Sequence, residues 1–417
     1  MRVPLGHFRE TFAPLRNRNL RIYLSGQAVS LIGTWMQMTA QSWVVWRLTQ
    51  SEAALGVVGM LGTLPLLVLG PISGTLADRW DRRRILINTQ TAAMVLAFAL
   101  SALVFTNTVR IWHIEVLALT LGCVSSLDMP SQQAFIGDLA GMELVRGAVV
   151  VNAMIVQTSR ILGPTLAGLV VKAIGEGPAF FLNGVSFLAV IASLFLVRAH
   201  QQPQHRPAGD SGAPGGGNFM EGVRYVLTKP RIIDLMTFTA LVTFFGFSNG
   251  TILPSFATLT LHGDAGLFGL LMGASGAGAL FSVIFLVPFG QRVRRPGGLL
   301  AGAIAFAGIM IALFSMTTHK GIALVTYFFT GLPFPFVLTT NNGLLQVLAP
   351  SHMRARLLTL YLMFSFGLQP LANLWVGWLG EHIGSPLTIR TNGLAMLAIA
   401  LVMLARPGLR AWEPLAG

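Results

Sequence analysis

The run Gly74-Thr75-Leu76-Ala77-Asp78-Arg79-Trp80-Asp81-Arg82-Arg83-Arg84 places six charged side chains in the seven positions 78–84. On either side the chain is apolar, over 53–76 and over 85–106. Each flank matches the roughly 20 residues that a helix needs to cross about 30 Å of hydrocarbon. The charges therefore occupy a tight turn between two membrane spans. There an acid followed by bases forms a short ion-pair ladder, and Gly74 lets two helices approach closely.

Outward from this turn the same alternation recurs to both ends. Hydrophobic residues make up 53% of the 417 and charged residues only 10%, against about 25% charge in soluble domains. Spans are expected at 22–47, 53–76, 85–106, 111–134, 147–172, 178–198, 232–258, 265–290, 298–317, 321–345, 357–380 and 386–405. The chain is thus expected to be an all-α integral membrane protein of twelve transmembrane helices. Short connections such as 49–52, 107–110 and 319–320 imply antiparallel neighbours.

A net charge of +13 raises the question of nucleic-acid binding, and the placement of the charges answers it. Bases gather between alternate spans: Arg16, Arg18 and Arg21; Arg79 and Arg82 to Arg84; Arg292, Arg294 and Arg295; Arg354 and Arg356. With both termini cytoplasmic, about 22 of the Lys and Arg lie inside, and Arg47, Arg110, Lys172, Lys320 and Arg390 lie outside, as the positive-inside rule requires. A multi-pass protein of the bacterial inner membrane is expected, with the lipid bilayer and not nucleic acid as its surroundings.

The polar break 199–230 contains Pro207-Ala-Gly-Asp-Ser-Gly-Ala-Pro-Gly-Gly-Gly217, a composition that cannot bury enough apolar area to order itself. It divides the chain into an N-terminal six-helix bundle (1–198), a cytoplasmic linker (199–230) and a C-terminal six-helix bundle (231–417). Residues 219–228 regain helical periodicity and suit an interfacial helix. The lone Cys123 allows neither an intrachain disulfide nor a thiolate metal cluster. The basic N-terminus runs into a long apolar helix without a cleavage site, so it reads as a first span and not as a removable signal.

The 74–84 loop resembles the signature Gly-x-Leu-Ala-Asp-Arg-x-Gly-Arg-Arg of the major facilitator superfamily, at the place expected for it, with Asp81 where that family has glycine. The resemblance implies the two-bundle fold and a gating role for Gly74, Asp78, Arg79, Asp81, Arg82 and Arg83, with Asp78 docking near Arg356 to Leu360 at the start of helix 11. The loop 290–297 keeps the bases but lacks the acid. Arg160-Ile-Leu-Gly163-Pro164-Thr-Leu-Ala-Gly168 is similar to an element of exporters and antiporters in this superfamily, and its small residues also suit close helix packing. Together with Gly26-Gln27, Trp43 and Asp128-Met-Pro-Ser-Gln-Gln-Ala134, these motifs resemble the enterobactin-exporter-like and drug:proton antiporter branch.

Ionisable groups inside a span are costly and usually face a bundle interior or a wet cavity. Arg160 is expected near mid-membrane in helix 5, and Asp128 in the cytoplasmic half of helix 4. Asp128 is the candidate proton acceptor and Arg160 the candidate for an anionic substrate group, since guanidinium forks match carboxylates and phosphates. A structural acid and a permanent ion pair are the competing readings. Neutral candidates for the substrate cavity are Gln37, Gln41, Asn249, Asn341, Asn342, Gln369 and Asn373, each of which also suits a bond between helices. The glycines 269, 273, 276 and 278 lie in an apolar span with no strand before them, and no Walker loop occurs, so neither a nucleotide cofactor nor ATP is expected. No enzymatic activity, cofactor or metal is expected.

The expected function is export of a small molecule, a siderophore, antibiotic or drug-like compound, by a monomer using alternating access with proton antiport. An uptake carrier or lysophospholipid flippase of the same fold is the alternative. A membrane scaffold or sensor has no need for such costly charges, and a channel is disfavoured because no filter repeat is present.

Overall fold

The computed structural model describes residues 13–197, 219–290, 296–350 and 353–406. The Gly/Pro-rich segment 199–218 and the side chains of 74–79, Asp78 and Arg79 among them, lie outside the described set. Six long helices precede the linker: α1 (Arg18–Thr49), α2 (Glu52–Arg79), α3 (Arg82–Phe105), α4 (Ile111–Gly141), α5 (Glu143–Ile174) and α6 (Glu176–Leu196). A short helix, α7 (Phe219–Leu227), precedes α8 (Pro230–Gly250), α9 (Ala265–Leu286), α10 (Pro296–Ser315), α11 (Lys320–Leu348), α12 (Arg356–Ile383) and α13 (Ser385–Ala405). Among the described residues, α2–α6 and α8–α13 make 11 helices long and apolar enough to cross a membrane. α1 is longer than a span, at 32 residues, but Gln27, Gln37 and Gln41 dilute its apolar character.

Local chemistry sets the helix ends. Asn17 caps α1, accepting from the backbone N–H of Asn19 at 3.0 Å and of Leu20 at 3.3 Å. Asp81 caps α3 by accepting from Arg84 N–H at 3.1 Å. Its φ of −60° shows why an aspartate serves where the resembling motif has glycine: the turn needs no left-handed residue, and a carboxylate at a helix N-terminus is favourable. Gly141, at φ +69°, breaks the chain between α4 and α5, a backbone state that costs glycine little.

Three helices are interrupted in ways that a hydropathy pattern does not reveal. α8 tightens into a 3₁₀ turn at Ser248–Gly250, followed by a π-turn at Phe256–Thr260. Ser248 Oγ donates to Phe244 O at 2.6 Å, and Asn249 Nδ2 donates to Phe245 O at 2.8 Å. These bonds satisfy carbonyls that the break frees, as a low-dielectric interior demands. Pro333 and Pro335 interrupt α11, and α12 restarts at Gln369 before Pro370.

One buried apolar cluster is drawn from residues 226–403. Two others come from residues 20–197 and from residues 36–180 with Ala265. The N-terminal and C-terminal helices meet along two seams of small residues, α5 on α9 and α2 on α12. A Cβ on Gly168 would fall 2.7 Å from Ala265 O, and one on Gly377 would fall 2.6 Å from Gly56 Cα. Neither seam has room for a side chain, so backbone meets backbone, as in tightly packed membrane helices.

Candidate functional site

Arg160 sits where α5 passes from its contact with α1 to its contact with α9. Three residues on, a Cβ at Gly163 would fall 2.9 Å from Ile32 O of α1, while the backbone of Arg160 itself lies against Gly276 of α9. The side chain sits at the interface between the two halves. Its Cζ lies 5.6 Å from the ring centroid of Trp35 in α1 and 5.5 Å from that of Phe247 in α8. Among the described residues no carboxylate lies within 4.0 Å of it and no hydrogen-bond acceptor meets it; the two ring faces are its partners, by cation–π attraction.

Beyond the guanidinium opens a cavity of about 70 Å³, large enough for a few waters. α8 contributes Gly246, Phe247, Asn249 and Gly250 to it; α9 contributes Met272 and Ser275; α11 contributes Tyr327, Thr330 and Phe334; Ile311, Phe314 and Ile389 complete the wall. Every wall residue except Arg160 belongs to the C-terminal helices. The site is therefore a cation from one half presented to a polar-aromatic chamber of the other. It can take an anionic or planar π-rich group, with hydroxyls and amides to orient it.

Asp128 lies elsewhere, inside the N-terminal half. Thr89 Oγ1 donates to its Oδ1 at 2.6 Å and Gln90 Nε2 to both oxygens at 3.0 Å. Gln132, one turn along α4, donates to Oδ2, and Gln27 of α1 donates to Gln132 at 2.8 Å. The carboxylate is thus held by neutral donors from α3 and α4, and shares neither hydrogen bond nor ion pair with Arg160. Thr89 also borders a groove of about 430 Å³ walled by Trp80, Asp81, Arg84, Ile85, Asn88 and Leu127, so one hydroxyl separates Asp128 from that opening.

Of the neutral candidates, Asn249 lines the Arg160 cavity, and its Oδ1 accepts from Asn392 at 2.8 Å. Gln37 is buried and accepts from Asn183 of α6 at 2.7 Å, and Asn341 donates to Thr239 of α8 at 2.9 Å. Asn373 accepts from Thr251 at 2.9 Å and from Gln369 at 3.1 Å, beside the α2–α12 seam. Asn342 accepts from Gln346 at 2.6 Å on the same helix, and Gln41 is half-buried on α1. Tyr327, Thr330 and Phe247 were not legible as site residues, because an aromatic or a threonine in an apolar span signals nothing by itself.

The loop after α2 is tied to the N-terminal half. Arg82 Nη1 donates to Asp138 Oδ1 at 2.6 Å and Arg83 Nη2 reaches Phe195 O at 3.4 Å. Arg356, at the start of α12, pairs with Glu221 of α7 at 2.7 Å. Facing the α1–α2 turn, Lys172 meets Asp264 at 2.9 Å across the halves. The hydrogen bond from Lys172 holds the Asp264 carboxyl below the usual carboxylate range.

The family model described as transmembrane secretion effector matches residues 9–416. Relatives include an MFS-type transporter of Bacillus subtilis, YfiS, 27% identical over 93% of each chain. The staphyloferrin A transporter of Staphylococcus aureus is 23% identical over 92% of this chain and 94% of its own. The multidrug efflux pump Tap of Mycolicibacterium fortuitum is 23% identical over 91% and 93%. Solved structures of the peptide transporter POT (TM-score 0.75, 95% of this chain and 96% of that one) and the nucleoside transporter NupG (0.72, 95% and 99%) share the fold at 15% identity.

Proposed function

The chain belongs to the transmembrane secretion effector family of the major facilitator superfamily, a family of transporters and not of enzymes, and from that premise we propose that it exports an anionic or chelating small molecule from a bacterial cytoplasm. One observation carries the reading: among the described residues the Arg160 guanidinium has no carboxylate partner, and it faces a chamber of the opposite half. An unpaired cation in an apolar interior is retained only at a cost, and a ligand that supplies the missing charge recovers it. The printed names of relatives, a siderophore transporter and efflux pumps, support a siderophore or drug-like cargo and outward movement.

The chain is read as twelve transmembrane helices, α1 included, with both termini inside and the α1–α2 turn outside, following the distribution of bases. Two six-helix bundles then rock about the α2–α12 and α5–α9 seams, exposing Arg160 alternately to each side. The transporter works as a monomer. Inward proton flow drives it, and Asp128 takes the proton, reached through Thr89 from the groove beside Trp80 and Arg84. Asp78 and Arg79 act as the latch at the inner face, on the strength of the motif alone. Gly163, Pro164 and Gly168 form the packing hinge between α1, α5 and α9.

The test is retention of a carboxylate-rich ferric chelator and of a cationic dye in a pump-deficient strain, with and without the protein. The chelator should leave cells at least about tenfold faster with the protein present, the equivalent of about 1.4 kcal/mol, and the dye should not. Faster accumulation of the chelator would instead establish uptake. Equal export of both would remove Arg160 as the selecting group.

A further inference from the structure

A carboxylate is also buried between the two halves, in a socket whose Ser385 lies one helical turn before the chamber residue Ile389. Glu52, the first residue of α2, is 5% exposed. Its Oε1 accepts from Ser255 Oγ and, at 3.1 Å, from the backbone N–H of Ser385. The two serine hydroxyls are themselves 3.2 Å apart. Oε2 is buried, has no hydrogen-bond partner among the described residues, and lies against Gly380, where any side chain would collide with it. Ser255, Gly380 and Ser385 come from three stretches of the C-terminal half, so a carboxylate of one half is inserted into a socket of the other.

Among the described residues, the charges around the socket do not balance an anion. Arg47 of α1 pairs with Glu176 at 2.6 Å, Lys172 of α5 with Asp264 at 2.9 Å, and Arg390 of α13 reaches Ser315 at 3.4 Å. On α12, His382 bonds Trp378 O at 2.7 Å. Glu381, accepting from Ser51 Oγ at 2.9 Å and Ala53 N–H at 3.1 Å, adds a negative charge beside Glu52. His262 stands in the turn before α9. Burying an ionised carboxylate with one oxygen unsatisfied and no cation beside it is strongly unfavourable, whereas the neutral acid loses far less on leaving water.

Resting on the alternating-access reading above, we propose that Glu52 is a proton-binding site that licenses closure of the outer seam: protonated in the closed socket, ionised once the halves part and water reaches it. The proton comes from the outer solution and returns to it when the seam opens. External acid therefore favours the closed seam, and closure is lost as pH rises.

The experiment uses the full chain in lipid nanodiscs, with Cys123→Ser and spin labels at Thr108→Cys and Thr318→Cys, two exposed positions in outer loops of opposite halves. Distances are measured between about pH 5.5 and about pH 8.5. The ratio of short to long distance should fall as pH rises, by up to about tenfold per unit for one linked proton. Glu52→Gln should hold the short distance at every pH, and Glu381→Gln should keep the wild-type slope. Ser255→Ala, which leaves Glu52 in place but removes the hydroxyl that bonds Oε1 of the protonated acid in the closed socket, should move the transition down by as much as about one pH unit. A wild-type slope in Glu52→Gln, or a transition that Ser255→Ala does not move, overturns the assignment. Two distances whose ratio ignores pH would also overturn it and leave alternating access standing. One fixed distance under all conditions would overturn alternating access, and Glu52 gating with it.

Discussion

Asp128 and Arg160 are both ionisable groups set deep among apolar helices, and the molecule treats them in opposite ways. Asp128 receives hydrogen bonds from three side chains of its own half. Arg160 sits between the halves and, among the described residues, meets only one ring face from each half and a cavity. A charge satisfied by its own bundle tolerates relative motion of the halves unchanged. On the alternating-access proposal, one completed across the interface is remade in each conformation, which leaves it available to a ligand. Position in the fold, more than residue type, separates a charge answered within one bundle from one that both bundles surround.

The largest effect that would break this comparison comes from Arg160. Arg160→Gln should slow transport of an anionic chelator in proteoliposomes about 10- to 100-fold, the range of one or two charge-assisted hydrogen bonds, while a neutral substrate changes less than about threefold. Arg160→Lys should fall between, since a lysine keeps the charge and loses the flat stacking surface. Equal loss for anionic and neutral substrates would make Arg160 a packing residue instead.

Asp128→Asn is expected to act on both stability and coupling. The amide offers one acceptor oxygen to donors from Thr89, Gln90 and Gln132, leaving at least one unsatisfied at a cost of about 1–3 kcal/mol. A lower melting temperature in detergent checks that part. Export that no longer responds to an imposed pH gradient checks the coupling. A lowered melting temperature with normal pH response would confine Asp128 to structure.

The smallest effect serves as a control, an ion pair that is neither buried nor unsatisfied. Lys172 and Asp264 join the halves at the surface, and the hydrogen bond from Lys172 depresses the Asp264 carboxyl. A depressed carboxyl stabilises the folded state above its ordinary titration range, near about pH 4, and loses that contribution as pH falls through its lower folded value. With both side chains half-exposed, solvent screening limits the pair to less than about 1 kcal/mol. Asp264→Asn should therefore lower thermal stability slightly at neutral pH, and its difference from wild type should shrink as pH falls below the ordinary carboxylate range.

Eleven of the twelve expected spans, the charged turn and the two charges within spans were legible in the sequence because each depends on local composition. A run of twenty apolar residues dictates a helix in hydrocarbon, and an arginine inside such a run requires a reason wherever it points. What Arg160 points at was not legible. Its rings come from Trp35 and Phe247, 125 residues before it and 87 after it, and contacts of that separation follow from helix rotation and crossing, which hydropathy does not encode. Glu52 makes the same point more sharply. Next to the turn 49–52 it looks like an interfacial acid bathed in water, and only the closing of α12 and α13 over α2 buries it. Composition determined that this chain lives in a membrane; only the tertiary structure decided which charges are answered from within one bundle and which wait at the interface, because burial and partnership are properties of packed surfaces and not of the chain that supplies them.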